Sequence, residues 1–95
     1  MLKILDIYFA IETKDILVDF LLEKGYDDFY FFTCNRYSSA SFLISAQEQV
    51  SARRSFGLFR LFIQQNEGEV LAQDIKKSIN DKHIKVYMQE ANELL

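Results

Sequence analysis

A chain of 95 residues with 26% charged and 49% hydrophobic side chains has the size and balance of one folded domain, which excludes a disordered segment. Its net charge of −3 at pH 7 argues against general nucleic-acid binding, which needs a basic stripe. A single cysteine excludes an internal disulfide and fits a reducing, cytoplasmic setting.

In chain order, residues 2–11 alternate with period two, Leu5, Ile7, Phe9 and Ile11 on one side and Leu2, Ile4, Asp6, Tyr8 and Ala10 on the other, which predicts a first strand. Asp6 interrupts that apolar run, so neither a signal peptide nor a membrane insertion is expected. Thr13 is placed to cap a helix over roughly 14–24, with Ile16, Leu17, Phe20 and Leu21 as its apolar face and Gly25 as its stop. A second strand follows at about 28–34, apolar on both faces through Phe29, Tyr30, Phe31 and Phe32. The polar segment from Asn35 to Arg54 then reads as a long loop, a feature that is usually functional or mobile in so small a domain, with Phe42-Leu43-Ile44 as a short β extension or contact point. A third strand at about 55–64 contains Gly57, which marks a bulge or a close backbone approach. Asn66 with Glu69 has capping-box spacing for a helix at about 67–80, striped by Leu71, Ile75 and Ile79. A fourth strand is expected at about 83–88, with Ile84, Val86 and Met88 on one face.

The order β-α-β-β-α-β is that of an α+β, ferredoxin-like sandwich spanning residues 1–95, with a four-stranded sheet ordered 4-1-3-2 and two helices on one face. One helix layer leaves the other sheet face to solvent, where polar residues are the rule. Here that face also reads as apolar, and aromatics make up 15% of the chain, so assembly through the sheet is expected. Asp6 and Arg60 share this second face, beside Tyr8, on strands that the topology makes neighbours. An unpartnered buried charge is costly, so the two are expected to pair, within one subunit or across two, and to help fix the assembly; the alternative is that one of them lies at the solvent-exposed rim.

This element order, with its long segment between the second and third strands, resembles the PII-like superfamily, which includes the nitrogen-regulatory PII proteins and the CutA proteins. Gly25-Tyr26 and Glu48-Gln49-Val50-Ser51-Ala52-Arg53 are similar to a Gly-Phe/Tyr turn and an E-Q-V-x-G-R segment carried by a group of uncharacterised bacterial PII-like proteins, with Ala52 where that motif has Gly. The resemblance implies a non-enzymatic regulatory or sensor protein, a homotrimer, with small ligands in clefts between subunits and a protein partner reached by the loop, which orders on binding. Some relatives accompany heavy-metal efflux genes and carry Gly/His-rich loops. The corresponding stretch here, Cys34-Asn35-Arg36-Tyr37-Ser38-Ser39, lacks that pattern, and the Gly-rich nucleotide signature of nitrogen-regulatory PII is absent, so ATP binding does not carry over.

Among single residues, Arg53 and Arg54, with Arg36, Glu48 and Gln49 in or beside the loop, are the candidates for gripping a small anionic ligand, since guanidinium forks match phosphate or carboxylate. A salt bridge from the arginines to Glu48, or to a neighbouring subunit, is the structural alternative. Cys34 and His83 are the soft metal ligands apart from Met, and no Cys/His spacing motif joins them. No catalytic constellation, P-loop or dinucleotide fingerprint is present, and no cofactor is assigned. Two alternatives stand beside the regulatory reading: a metal-handling accessory protein of an efflux system, and a small enzyme on a ferredoxin-like dimer, because this fold hosts many functions.

Overall fold

The computed structural model describes residues 1–38 and 53–95. Strand β1 (Leu2–Ala10) runs into a 3-10 turn (Ile11–Thr13) and helix α1 (Lys14–Glu23); β2 (Tyr30–Tyr37), β3 (Arg53–Gln64), helix α2 (Gln65–Ser78) and β4 (Lys85–Glu90) complete the domain. The sheet is antiparallel in the order β2-β3-β1-β4, which is the ferredoxin-like order expected from the sequence.

Alternation along the two central strands decides where the core sits. Leu5, Ile7 and Phe9 of β1 and Phe59, Leu61 and Ile63 of β3 point to the helix side, where they meet Leu17 and Leu21 of α1 and Leu71 and Ile75 of α2. Burying each such side chain stabilises the fold by about 1.5–3 kcal/mol. Both helices therefore cover one face of the sheet, and the odd-numbered positions of β1, β2 and β3 form that inner face.

Two glycines have defined tasks. Gly25 has φ 90°, and the bonds from Gly25 N–H to Leu22 C=O (3.0 Å) and from Tyr26 N–H to Leu21 C=O (2.9 Å) close α1 in a Schellman motif. Gly57 lets β3 approach the core aromatics, since a Cβ there would lie 2.6 Å from two ring atoms of Phe9 and 3.0 Å from Phe31. The β1–β3 and β2–β3 registers run unbroken past Gly57, so it marks close approach and not a bulge.

Several local expectations give way to longer-range contacts. Thr13 does not cap α1; its hydroxyl donates to Asp81 (2.9 Å), because the 3-10 turn carries the chain past the loop before β4. Asp81 also accepts from the Ala10 and His83 amides (3.3 and 2.8 Å), tying that loop to the end of β1. The capping box at Asn66 is replaced by a helix that begins two residues earlier than expected, at Gln65, directly off β3. Asn35 and Arg54, read as loop, lie in β2 and β3, where pairing continues to Tyr37↔Arg53. Strand β4 is displaced to Lys85–Glu90, with Ile84 ahead of it still packed against the core. The expected mobility across 35–52, the Phe42–Ile44 extension, and Glu48 and Gln49 fall wholly or mainly outside the described residues.

Candidate functional site

The face of the sheet turned away from the helices holds the residues of interest. Even positions of β1, β2 and β3 and odd positions of β4 project onto it, because Asp6 pairs with both Arg60 and Tyr87, and Arg60 pairs with Tyr30. Leu2, Tyr8, Tyr30, Phe32, Phe62 and Tyr87 are all exposed there, between 37% and 59%. Tyr8 meets Tyr87 edge-on at 5.9 Å, and Tyr30 meets Phe62 edge-on at 6.4 Å.

In the middle of this apolar surface Arg60 and Asp6 form a two-pronged ion pair, Nε to Oδ1 at 2.8 Å and a terminal guanidinium nitrogen to Oδ2 at 2.9 Å. Gln89 of β4 adds a third donor to Oδ2 at 3.3 Å. The carboxylate is buried while the guanidinium is about a third exposed, resting 5.8 Å from the Phe32 ring centre. Hydrogen bonding to Asp6 raises the Arg60 pKa further, so this cation does not titrate. The pair expected from the sequence thus forms within one subunit.

Toward the Ala10 end of β1 the face hollows into an open cleft of about 590 Å³, lined by Asp6, Tyr8, Cys34, Asn35, Arg36, Phe56, His83, Lys85, Tyr87 and Gln89. Phe56 is buried at its base, with the Arg36 guanidinium 5.4 Å from the ring centre and the His83 ring edge-on at 6.0 Å. Arg54 lies directly opposite Arg36 on β3. It donates to His83 Nε2 (3.3 Å) and ion-pairs with Glu12 of the 3-10 turn. Burial lowers the His83 pKa, and the neighbouring Arg54 charge lowers it further, so near neutral pH the ring is uncharged with Nε2 accepting.

Of the sequence candidates, Arg36, Arg54, Cys34 and His83 are brought to this one end of the open face. Arg53 is not: neighbouring residues of a strand point to opposite faces, so Arg53, paired with Tyr37, lies on the helix side and is exposed. Among the described residues Arg54 engages Glu12, which the unforeseen 3-10 turn delivers, while Glu48, the partner expected for the arginines, lies outside the described residues. Cys34 is exposed, and no group of three or more His, Cys, Asp or Glu side chains converges as a metal site among the described residues. Lys85 and Tyr87 were missed by sequence reasoning. Their signal was the alternation that puts Val86 and Met88 inward and so turns Lys85 and Tyr87 out.

The sequence profile of a family described as proteins of unknown function, DUF3240, matches residues 2–94. The chain belongs to this family. Among solved structures, this DUF3240 chain is similar to a candidate PII-like signaling protein from Thermus thermophilus, with a TM-score of 0.66 at 12% identity, covering 95% of this chain and 86% of that one. That likeness places the domain in the PII-like fold, as the element order implied. No curated protein matches. No helix among the described residues is long and apolar enough to cross a membrane.

Proposed function

We propose that this chain is a non-enzymatic, PII-like regulatory protein that works as a homotrimer joined through the open faces of its sheets, and that binds a small ligand in clefts where copies meet. The observation that carries this reading is the exposed aromatic and aliphatic cover of the open face. A sheet with one helix layer normally presents polar residues on its free side. Here Leu2, Tyr8, Tyr30, Phe32, Phe62 and Tyr87 stand in that position, an apolar patch of the kind that marks an interaction surface. The central Asp6–Arg60 pair satisfies its own charges within the subunit, so burying it against another copy leaves no unpartnered ion. The likeness to a PII-like signaling candidate supports the regulatory part.

The test is the pair of wild type and Phe62→Asp by native mass spectrometry. Phe62 is 48% exposed in the subunit, so the carboxylate is tolerated in a monomer but not in a dry interface. Trimeric wild type and a folded, dissociated variant, checked by far-UV circular dichroism, are expected. A monomeric wild type, or a variant that assembles unchanged, overturns the reading.

A further inference from the structure

The loop between α2 and β4, residues 80–84, is tied down from two sides. On one side Asp81 holds it to the end of β1: Oδ2 accepts from the Ala10 amide (3.3 Å) and the Thr13 hydroxyl (2.9 Å), while Oδ1 accepts from the His83 amide (2.8 Å). On the other side Nε2 of His83 meets the Arg54 guanidinium at 3.3 Å, which joins the loop to the start of β3. Arg54 is mostly buried and is held in place by its ion pair with Glu12. The two ties differ in chemistry. The Asp81 bonds do not involve an imidazole proton. The His83 bond does, because a guanidinium only donates, so Nε2 accepts and the ring is neutral. Among the described residues Arg54 of β3, Arg36 of β2 and Lys82 of the same loop oppose a second ring proton on His83, and Asp81 favours one. Glu12 lies beyond Arg54, Lys85 opens β4, and the Phe56 ring stands edge-on to His83 at 6.0 Å.

We infer that His83 and Arg54 form an acid-released latch: a proton on Nε2 turns the acceptor into a second cation against Arg54 and frees the loop from β3, while Asp81 keeps it on β1. Burial, and next the Arg54 charge, hold the His83 pKa below its ordinary value near 6.5. The latch is therefore closed at neutral pH and opens as pH falls below about 6.5 toward the folded value. The freed stretch leads into β4, which carries Lys85 and Tyr87 on the open face, so a change at one ring reaches the surface proposed above for assembly. The latch itself does not depend on that assembly, since all of its parts belong to one subunit.

The experiment is nuclear magnetic resonance of the full chain between about pH 7.5 and about pH 5.5 at one protomer concentration, following the His83 ring and the exchange protection of backbone amides. The Ile84 amide, which donates to Asp81 C=O at 3.2 Å inside the loop, is the probe. The Tyr26 amide, which donates to Leu21 C=O at 2.9 Å at the end of α1, is the control. In the wild type, Ile84 protection is expected to fall by roughly tenfold as the ring takes up its proton, the loss of one charge-assisted hydrogen bond, with Tyr26 unchanged. His83→Gln keeps an acceptor for Arg54 without a titrating group, and its Ile84 protection is expected to stay level across the same range. Arg54→Met removes the partner, so Ile84 is expected to be weakly protected throughout and the ring to take up its proton at a higher pH. Wild-type protection that holds while the ring titrates, a ring still neutral at the lowest pH, an equal fall in His83→Gln, or an unmoved ring titration in Arg54→Met overturns the latch.

Discussion

Replacing Arg60 by Met removes one half of the ion pair at the centre of the open face and leaves the other half buried. Asp6 is 4% exposed, and without Arg60 its carboxylate retains the Gln89 contact at 3.3 Å. Breaking a fully buried pair at one end costs about 3–5 kcal/mol. Arg60 is 34% exposed at its side chain, so part of its interaction with Asp6 is already screened by water. We therefore expect Arg60→Met to destabilise the protein by about 2–3 kcal/mol, less than the cost for a fully buried pair. Asp6→Asn costs less, about 1–2 kcal/mol, because the partly exposed guanidinium turns to solvent while Gln89 keeps a neighbour. In the double variant neither charge is left, and much of the loss is recovered. Urea unfolding of all four proteins at one fixed protomer concentration gives the coupling energy, expected at about 2 kcal/mol. Single costs that add to within about 0.5 kcal/mol would refute the reasoning, since residues that share two short hydrogen bonds cannot be independent.

Gly57→Ala forces a methyl group to within 2.6 Å of the Phe9 ring, and should cost about 1–3 kcal/mol in thermal or urea unfolding. Gly68→Ala should cost less than Gly57→Ala, because the nearest atom is the mobile end of Met88 and Ala is worth about 1 kcal/mol over Gly in a helix. His83, the one histidine, titrates below its ordinary value near 6.5 by burial and by the Arg54 charge. The unfolded chain then binds a proton that the folded one refuses, so this contribution is intact above about pH 6.5 and is lost as pH falls from there toward the folded pKa. Ring-proton shifts read the pKa directly, and His83→Gln should remove that part of the pH dependence of stability.

How much of this was legible in sequence depended on whether the deciding contacts were local. The period-two pattern of β1 gave its inner face, and the antiparallel topology then set Asp6 beside Arg60, since a one-residue slip would have turned Leu5, Ile7 and Phe9 to solvent. Gly25 was legible because a Schellman stop is a property of a few consecutive residues. Thr13 was not, because Asp81 reaches it from 68 positions away and outcompetes a cap. The cleft was half legible. Arg36, Arg54, Cys34 and His83 were singled out by residue type, yet their convergence depends on how the strand ends meet in space, and Lys85 and Tyr87, turned outward by the same alternation that puts Val86 and Met88 inward, carried no residue-type signal that tied them to the cleft. The partner of Arg54 was hidden for the same reason, since Glu12 lies in a turn with no sequence signal of its own.

The measurement that bears most directly on the central claim is the absolute mass of the wild-type protein by light scattering at micromolar concentration. Assembly of the open faces around an axis predicts a particle of roughly three times the 11.2 kDa chain mass. A particle with the mass of one chain would contradict it.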